Sequence, residues 1–262
     1  MTSYRWLLIA ALLTVLPSLT FAAGHDQWME YYTFRHSSTL PGMLFGVTPQ
    51  GQIDFSGALQ QNIPVAHTPS WGNYVIGGNS GSNSASLPTK LSGGSVNGTG
   101  FAGVGLGQPG HGVYLSWMDT GTDMAEAWNL QVQVVPGSEE RVALAVGVID
   151  ALNEREKYWD EHHNARSVYA TATGRFRPAD RRPVYWTLGL GSGRFDSVVF
   201  GGVSVPADDH LRLVAEWDGF GANLGAAYAL NGAGNHRDWD AIGYLGWTNL
   251  QHPMVGLTFT WR

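Results

Sequence analysis

The sequence predicts an all-β fold: an up-and-down antiparallel transmembrane β-barrel of about twelve strands, within a range of ten to fourteen. Three observations predict it. Hydrophobic residues recur at period two and seldom at helical spacing. The two faces of these runs are unlike, one aliphatic with large aromatics near its ends, the other rich in Gly, Ala, Thr and Asn. The sequence also ends in an alternating segment with a penultimate aromatic, Trp261, followed by Arg262. A terminal strand closing on an aromatic is what outer-membrane assembly machinery recognises in barrel proteins, and Arg262 is a departure from that form.

The alternation is strict where it is clearest. Trp128, Leu130, Val132 and Val134 share one face, and Asn129, Gln131 and Gln133 share the other. Val142, Leu144, Val146 and Val148 alternate with Ala143, Ala145 and Gly147. Leu211, Leu213, Ala215 and Trp217 alternate with Arg212, Val214 and Glu216, and Val255, Leu257, Phe259 and Trp261 with Gly256, Thr258 and Thr260. A soluble sandwich places its apolar face inward against a second sheet. A membrane barrel places that face in lipid and lines its lumen with the other. Trp117, Trp128, Trp217, Phe259 and Trp261 are expected to face the membrane, the tryptophans forming interfacial girdles. Asn129, Gln131, Gln133, Arg175, Arg212, Glu216, Asp218 and Asn223 are expected to line the lumen.

Taken from the start, residues 1–23 read as a secretory signal: Arg5, an apolar run from Trp6 to Val15, Pro17, then small residues to Ala22 and Ala23. The run is too short for a bilayer span. Cleavage leaves 14 basic against 21 acidic residues. Residues 24–71 stay unplaced as a plug, a periplasmic arm or extra strands. Residues 72–262 form the barrel, with strands near 72–79, 99–106, 111–118, 127–135, 141–149, 166–177, 184–191, 196–205, 210–217, 220–230, 240–248 and 254–261. Asp218-Gly219, Pro206–Asp209 and Pro136–Glu139 supply turns. Gly77–Gly100 reads as a flexible loop. With the C-terminus in the periplasm, this count puts the longer loops 80–98, 119–126 and 150–165 outside. Turns 136–140, 178–183 and 206–209 fall in the periplasm, as the barrel rule requires. Asn231–Asp238 is long for a periplasmic turn.

Composition removes several classes of function. A net charge of −6 offers no polyanion footprint, so nucleic acid is not an expected partner. The absence of Cys excludes disulfides and thiolate metal or redox sites. The expected partners are outer-membrane lipid and lipopolysaccharide, the assembly machinery and polysaccharide.

Three stretches carry a resemblance: Val199-Phe200-Gly201-Gly202-Val203-Ser204-Val205, Leu211-Arg212-Leu213-Val214-Ala215-Glu216-Trp217-Asp218-Gly219, and Asn223-Leu224-Gly225-Ala226-Ala227-Tyr228. Together they resemble the repeated hairpin of YjbH-like outer-membrane proteins, over about thirty residues near 199–228. The resemblance implies an integral outer-membrane barrel linked to exopolysaccharide production or export, and it supplies no catalytic residues. By period two, Glu216 and Asp218 share a face with Arg212, and buried charge must be paired. Pairing with lumen arginines such as Arg175 is therefore expected.

Neither catalytic residues nor a cofactor nor a metal is expected. His162-His163, beside Asp160 and Glu161, reads as part of a solvated outer loop rather than a metal site. His111 with Ser116, or His210, lacks the nucleophile–base–orienter set of an enzyme. Gly103, Gly105, Gly107 and Gly110 lack the following helix of a phosphate loop and instead suggest thinned lumen packing and a turn. Asn97-Gly98-Thr99 fits a glycosylation pattern without the compartment for it. Arg181-Arg182 is placed in a turn. The expected role is structural or transport-associated. The alternatives are a lipid-modifying outer-membrane enzyme and a soluble secreted or periplasmic β-sandwich binding protein.

Overall fold

The alternating runs form twelve strands: β1 Tyr74–Ser82, β2 Val96–Gln108, β3 His111–Thr120, β4 Ala125–Val135, β5 Ala143–Ile149, β6 Ser167–Phe176, β7 Val184–Gly191, β8 Val199–Pro206, β9 Leu211–Trp217, β10 Ala222–Ala229, β11 Trp239–Thr248 and β12 His252–Trp261. The structure, a computed structural model, describes residues 39–82, 96–120, 125–138, 140–152, 166–176, 182–195, 199–231 and 238–262. Each strand pairs antiparallel with its neighbours in sequence, and β1 pairs with β12 to close the barrel. Closure places Tyr74 opposite Trp261 and Gly81 opposite Met254, so no strand edge remains unpaired. The sandwich alternative is thereby overturned.

One end of the barrel, here the turn mouth, holds the start of β1, the end of β12 and the connections at 109–110, 136–142, 177–183, 207–210 and 230–238. The other, the loop mouth, holds connections 83–95, 121–124, 150–166, 192–198, 218–221 and 249–251. This is the grouping read from the sequence. Two boundaries differ. All of the described part of Gly77–Gly100 is strand, because β1 continues to Ser82 and β2 starts at Val96. The ladder between them tolerates Gly, Ser and Asn when both strands have partners on either side. His252, expected in a loop, opens β12.

Sheet pleat sends alternate side chains in and out. The outward set is apolar across the mid-strand positions, with Val146 45%, Val168 56%, Leu188 55% and Leu190 62% exposed. Among the described residues, the charged outward side chains in strands are Asp119 and Glu126, an opposed pair at the loop-mouth ends of β3 and β4. Outward aromatics fall at two levels. Trp186, Tyr228, Trp239, Trp261 and Tyr74 lie toward the turn mouth, and Trp117, Trp128, Trp217 and Trp247 toward the loop mouth. Phe259 faces outward beside Trp261, ring centroids 6.4 Å apart.

Large aromatics also face inward, and glycine makes this possible. A Cβ on Gly77 would meet Phe101 Cζ at 2.6 Å. In the same way Tyr114 lies on Gly103, Tyr169 on Gly147, Phe200 on Gly189 and Tyr244 on Gly225. Each ring packs against a neighbouring strand's glycine, in space that any side chain there would occupy. The thinning foreseen at Gly103 is one case of a pattern that recurs around the barrel, while at Gly105 the space is taken by Pro69 and Ser70 of the inner segment. Gly107 and Gly110 take φ of +82° and +79° at the β2–β3 turn.

Residues 39–73 fill the lumen. Leu40, Met43, Leu44, Phe45, Val47, Ile53, Leu59, Ile63 and Val65 are fully buried and form one core with inward wall residues, including Tyr114, Phe200, Ile242 and Met254. This segment has almost no regular structure, only isolated bridges such as Val47 with Ile53 and Ala58. It makes three passes along the lumen. The first descends from Thr39 to a turn at Thr48–Gly51, and the second rises to Gln61 and Asn62, near the loop-mouth ends of β9 and β11. The third descends past Val65 and Thr68 to Trp71 and enters β1.

Candidate functional site: the occupied lumen

The wall meets the inner segment through amides and hydroxyls on strands around the barrel. On β4, Gln131 Nε2 donates to the Val65 carbonyl (2.9 Å) and to Thr68 Oγ1 (2.7 Å), and Gln133 Oε1 accepts from the Thr68 N–H (3.0 Å). On β6, Thr173 Oγ1 accepts from the Ala66 N–H at 2.8 Å, and the Thr171 hydroxyl donates to the Pro64 carbonyl at 3.1 Å. On β11, the Tyr244 hydroxyl donates to Gln61 Oε1 and Thr248 Oγ1 accepts from Gln61 Nε2. An irregular segment buried in a closed barrel leaves backbone groups that no ladder satisfies. The polar inner face supplies partners for them.

Glu216 is the strongest of these anchors. Its carboxylate accepts the backbone N–H of Gln61 at 2.9 Å and of Asn62 at 2.7 Å, and Nδ2 of Asn223 at 3.0 Å. Charge-assisted bonds of this kind are about twice as strong as neutral ones. Asn223 also donates to Asp218 Oδ2 (2.9 Å) and accepts the Asn249 N–H (2.9 Å), which ties β9, β10 and the 249–251 turn together. Asp218 Oδ1 accepts the N–H of Phe220 and of Gly221, closing the loop in which Gly219 has φ +99°.

The expected pairing of Glu216 with Arg175 is not observed. Glu216 is held by amides of the inner segment and of β10, while Arg175 lies beside Tyr185 and His67 toward the turn mouth. The pairing inferred from strand faces alone left out the segment that stands between them. Arg212 is fully buried and donates to Ser204 Oγ (3.0 Å) and to the Ser56 carbonyl (3.1 Å). Its guanidinium lies 5.5 Å from the Tyr185 ring centroid, within cation–π range.

Asn129, Gln131, Gln133, Arg212, Glu216, Asp218 and Asn223 are all buried on the inner side, and Arg175 shares the inward face of β6. Trp117, Trp128, Trp217, Phe259 and Trp261 all lie on the outer side. His111 and Ser116, considered as a pair, stand on opposite faces, one exposed at the turn mouth and one buried beside Asn129. His210 stacks on Tyr228 with centroids 6.1 Å apart. No group of three or more metal-ligating side chains forms among the described residues. His162-His163, Asp160, Glu161, Arg181 and the signal region 1–23 lie outside the described residues.

The sequence reading missed the inner segment's latch. Arg262 Nη2 contacts Asp240 Oδ2 at 2.6 Å and Asp54 Oδ2 at 3.0 Å, joining the end of β12 to the inner segment at the turn mouth. The residue after the penultimate aromatic therefore has a partner of its own. The Arg262→Ala variant is expected to lose about 1 kcal/mol or less, because the cluster is partly exposed. Thermal unfolding with and without added salt checks this, and the difference from wild type should shrink as salt rises.

The turn 207–210 is closed by Asp208, whose carboxylate accepts the N–H of His210 (2.7 Å) and Leu211 (2.8 Å). The His210 bond leads in holding that carboxyl below its ordinary range.

Fold and lumen together define a closed twelve-stranded antiparallel barrel with an apolar exterior and an interior filled by its own chain. Comparison with protein-family models and with curated protein sequences gives no match.

Proposed function

We propose that the chain is an integral outer-membrane protein of a Gram-negative-type envelope, secreted on a cleaved signal at residues 1–23. Lipid and lipopolysaccharide contact its outer face, and the outer-membrane assembly machinery inserts it. Its role is structural or transport-associated and not enzymatic. The observation that carries this reading is the inverted burial: aliphatic side chains form the outward belt, and amides, hydroxyls and charges face in. A soluble monomer rarely exposes an apolar patch beyond a few hundred Å², whereas a barrel in lipid requires such a belt. Trp and Tyr at two levels agree with interfacial girdles, and a shallow apolar hollow across β4–β7, lined by Leu130, Val132, Val146, Val168 and Leu190, suits acyl chains.

The link to exopolysaccharide rests on the resemblance of residues 199–228 to YjbH-like proteins. Those residues build the wall that holds Gln61 and Asn62, so passage of any solute would require the inner segment to leave Glu216. Membrane fractionation with gel mobility before and after boiling tests the reading. The expected result is a membrane-bound protein whose mobility changes on heating; a soluble protein with unchanged mobility would overturn it.

A further inference from the structure

On the outer face, the hollow across β4–β7 has a volume of about 690 Å³. Its origin is one small side chain among larger ones. Ala170 pairs with Val146 on one side and Leu190 on the other, and Val132 stands beyond Val146. The next outward residue down β6, Ala172, is small again and lies between Leu144 and Leu188. An apolar trough therefore follows β6 along the outer wall. Its loop-mouth end carries a cation. Arg166, two residues before Val168, continues the outward column of Val168 and Ala170 and is exposed. It leans toward β5, where Nη2 donates to the Ala151 carbonyl at 3.3 Å and Nε to the Asp150 carbonyl at 3.5 Å. The Ala151 N–H donates in turn to the Trp128 carbonyl at 2.7 Å. The guanidinium is thus at the level of the loop-mouth aromatics, the depth at which lipid headgroups lie. Asp150 is fully buried, and the outward carboxylates Glu126 and Asp119 stand on β4 and β3, two and three strands from β6.

We propose that this trough is a specific binding site for the anchor of lipopolysaccharide, a phosphorylated and multiply acylated glucosamine disaccharide (lipid A), with one acyl chain over Ala170 and a phosphate on Arg166. The site rests on the outer-membrane reading above, which puts the loop mouth in the outer leaflet, where this glycolipid is the main component. The trough supplies the apolar half of the recognition. Arg166 supplies the other half, since a guanidinium meets phosphate through charge-assisted hydrogen bonds. The two halves stand in the order an anionic amphiphile needs, cation at headgroup depth and apolar groups below it. A glycerophospholipid has the same two parts, but it fills the inner leaflet, toward the turn mouth, where the trough has no arginine at its end.

The test uses the full-length protein, purified from Gram-negative cells in mild detergent and stripped of lipid. Native mass spectrometry counts the lipid bound after addition of lipid A, of its fully dephosphorylated form, or of phosphatidylglycerol. The variants are Arg166→Gln, Arg166→Lys and Ala170→Trp. The controls are Arg182→Gln at the turn mouth and Ala226→Trp, outward on β10 between Leu213 and Leu245. Wild type is expected to hold a single lipid A, and Arg166→Gln and Ala170→Trp to bind it about tenfold more weakly, the scale of one lost charge-assisted contact. Both controls should bind as wild type does, and Arg166→Lys should keep part of the affinity. Dephosphorylated lipid A should bind wild type and Arg166→Gln alike. Gel mobility before and after boiling verifies that each variant is a folded barrel, and Ala170→Leu replaces Ala170→Trp if the larger side chain prevents folding. A heat-modifiable membrane protein that binds no lipid A, binds phosphatidylglycerol as well, or binds lipid A equally after both Arg166→Gln and the Ala170 substitution overturns the site and leaves the membrane reading standing. A soluble protein with unchanged mobility refutes that reading, and the site falls with it.

Discussion

The Glu216→Ala variant is expected to lose at least about 3 kcal/mol of stability, since each buried donor left without an acceptor costs about 1–3 kcal/mol. Three donors lose their acceptor at once: the N–H of Gln61, the N–H of Asn62 and Nδ2 of Asn223. No water-filled space is needed for the effect, because Asn223 is fully buried and Glu216 nearly so. Glu216→Gln keeps one acceptor oxygen but turns an amide NH₂ toward a donor, so it should cost about 1–3 kcal/mol. Thermal unfolding in detergent measures both. Alanine and glutamine variants that melt with the wild type would mean that the carboxylate does not hold the inner segment. Asn223→Ala provides a check on locality, because it removes one of the three donors and also frees Asp218 Oδ2.

The Val146→Arg variant addresses the outer face. Val146 lies midway along β5, opposite Val132 and Ala170, and is 45% exposed. An arginine on the lipid face of a barrel costs about 2–4 kcal/mol at the bilayer midplane. The same substitution on a water-facing strand usually falls within about 0.5 kcal/mol of neutral. Denaturant unfolding from lipid vesicles should therefore show a loss of that size, with Val146→Thr losing much less. An arginine variant as stable as wild type in vesicles would place water, not acyl chains, against β5.

The strands were legible because period two survives wherever one face is aliphatic and the other is small or polar. β4, β5, β9 and β12 show it without interruption, and all twelve strands lie where the alternation puts them. Turns were legible through Asp, Gly and Pro. β1 and β2 were read too short because Gly, Ser and Asn look like loop when pairing partners are unseen. The inner segment was the hard part, since 39–73 has no period of its own and its shape is imposed by the wall. One signal was nonetheless present: the stretch carries a single formal charge, Asp54, and many apolar residues. Burial of a long irregular segment requires that, because unpaired charge is costly away from water. The inward rings of Phe101, Tyr114, Tyr169, Phe200 and Tyr244 were likewise hidden, as each depends on a glycine in the adjacent strand rather than on its own neighbours in sequence.

The same lack of charge decides what kind of force can dislodge the inner segment. A voltage acts on it through Asp54 alone, and one elementary charge crossing the whole field gains about 2.3 kcal/mol per 100 mV. Asp54 sits at one mouth beside Arg262 and spans little of that drop. Electrical depolarisation is therefore a weak lever on this lumen, and a trigger would have to be a binding event or a mechanical pull.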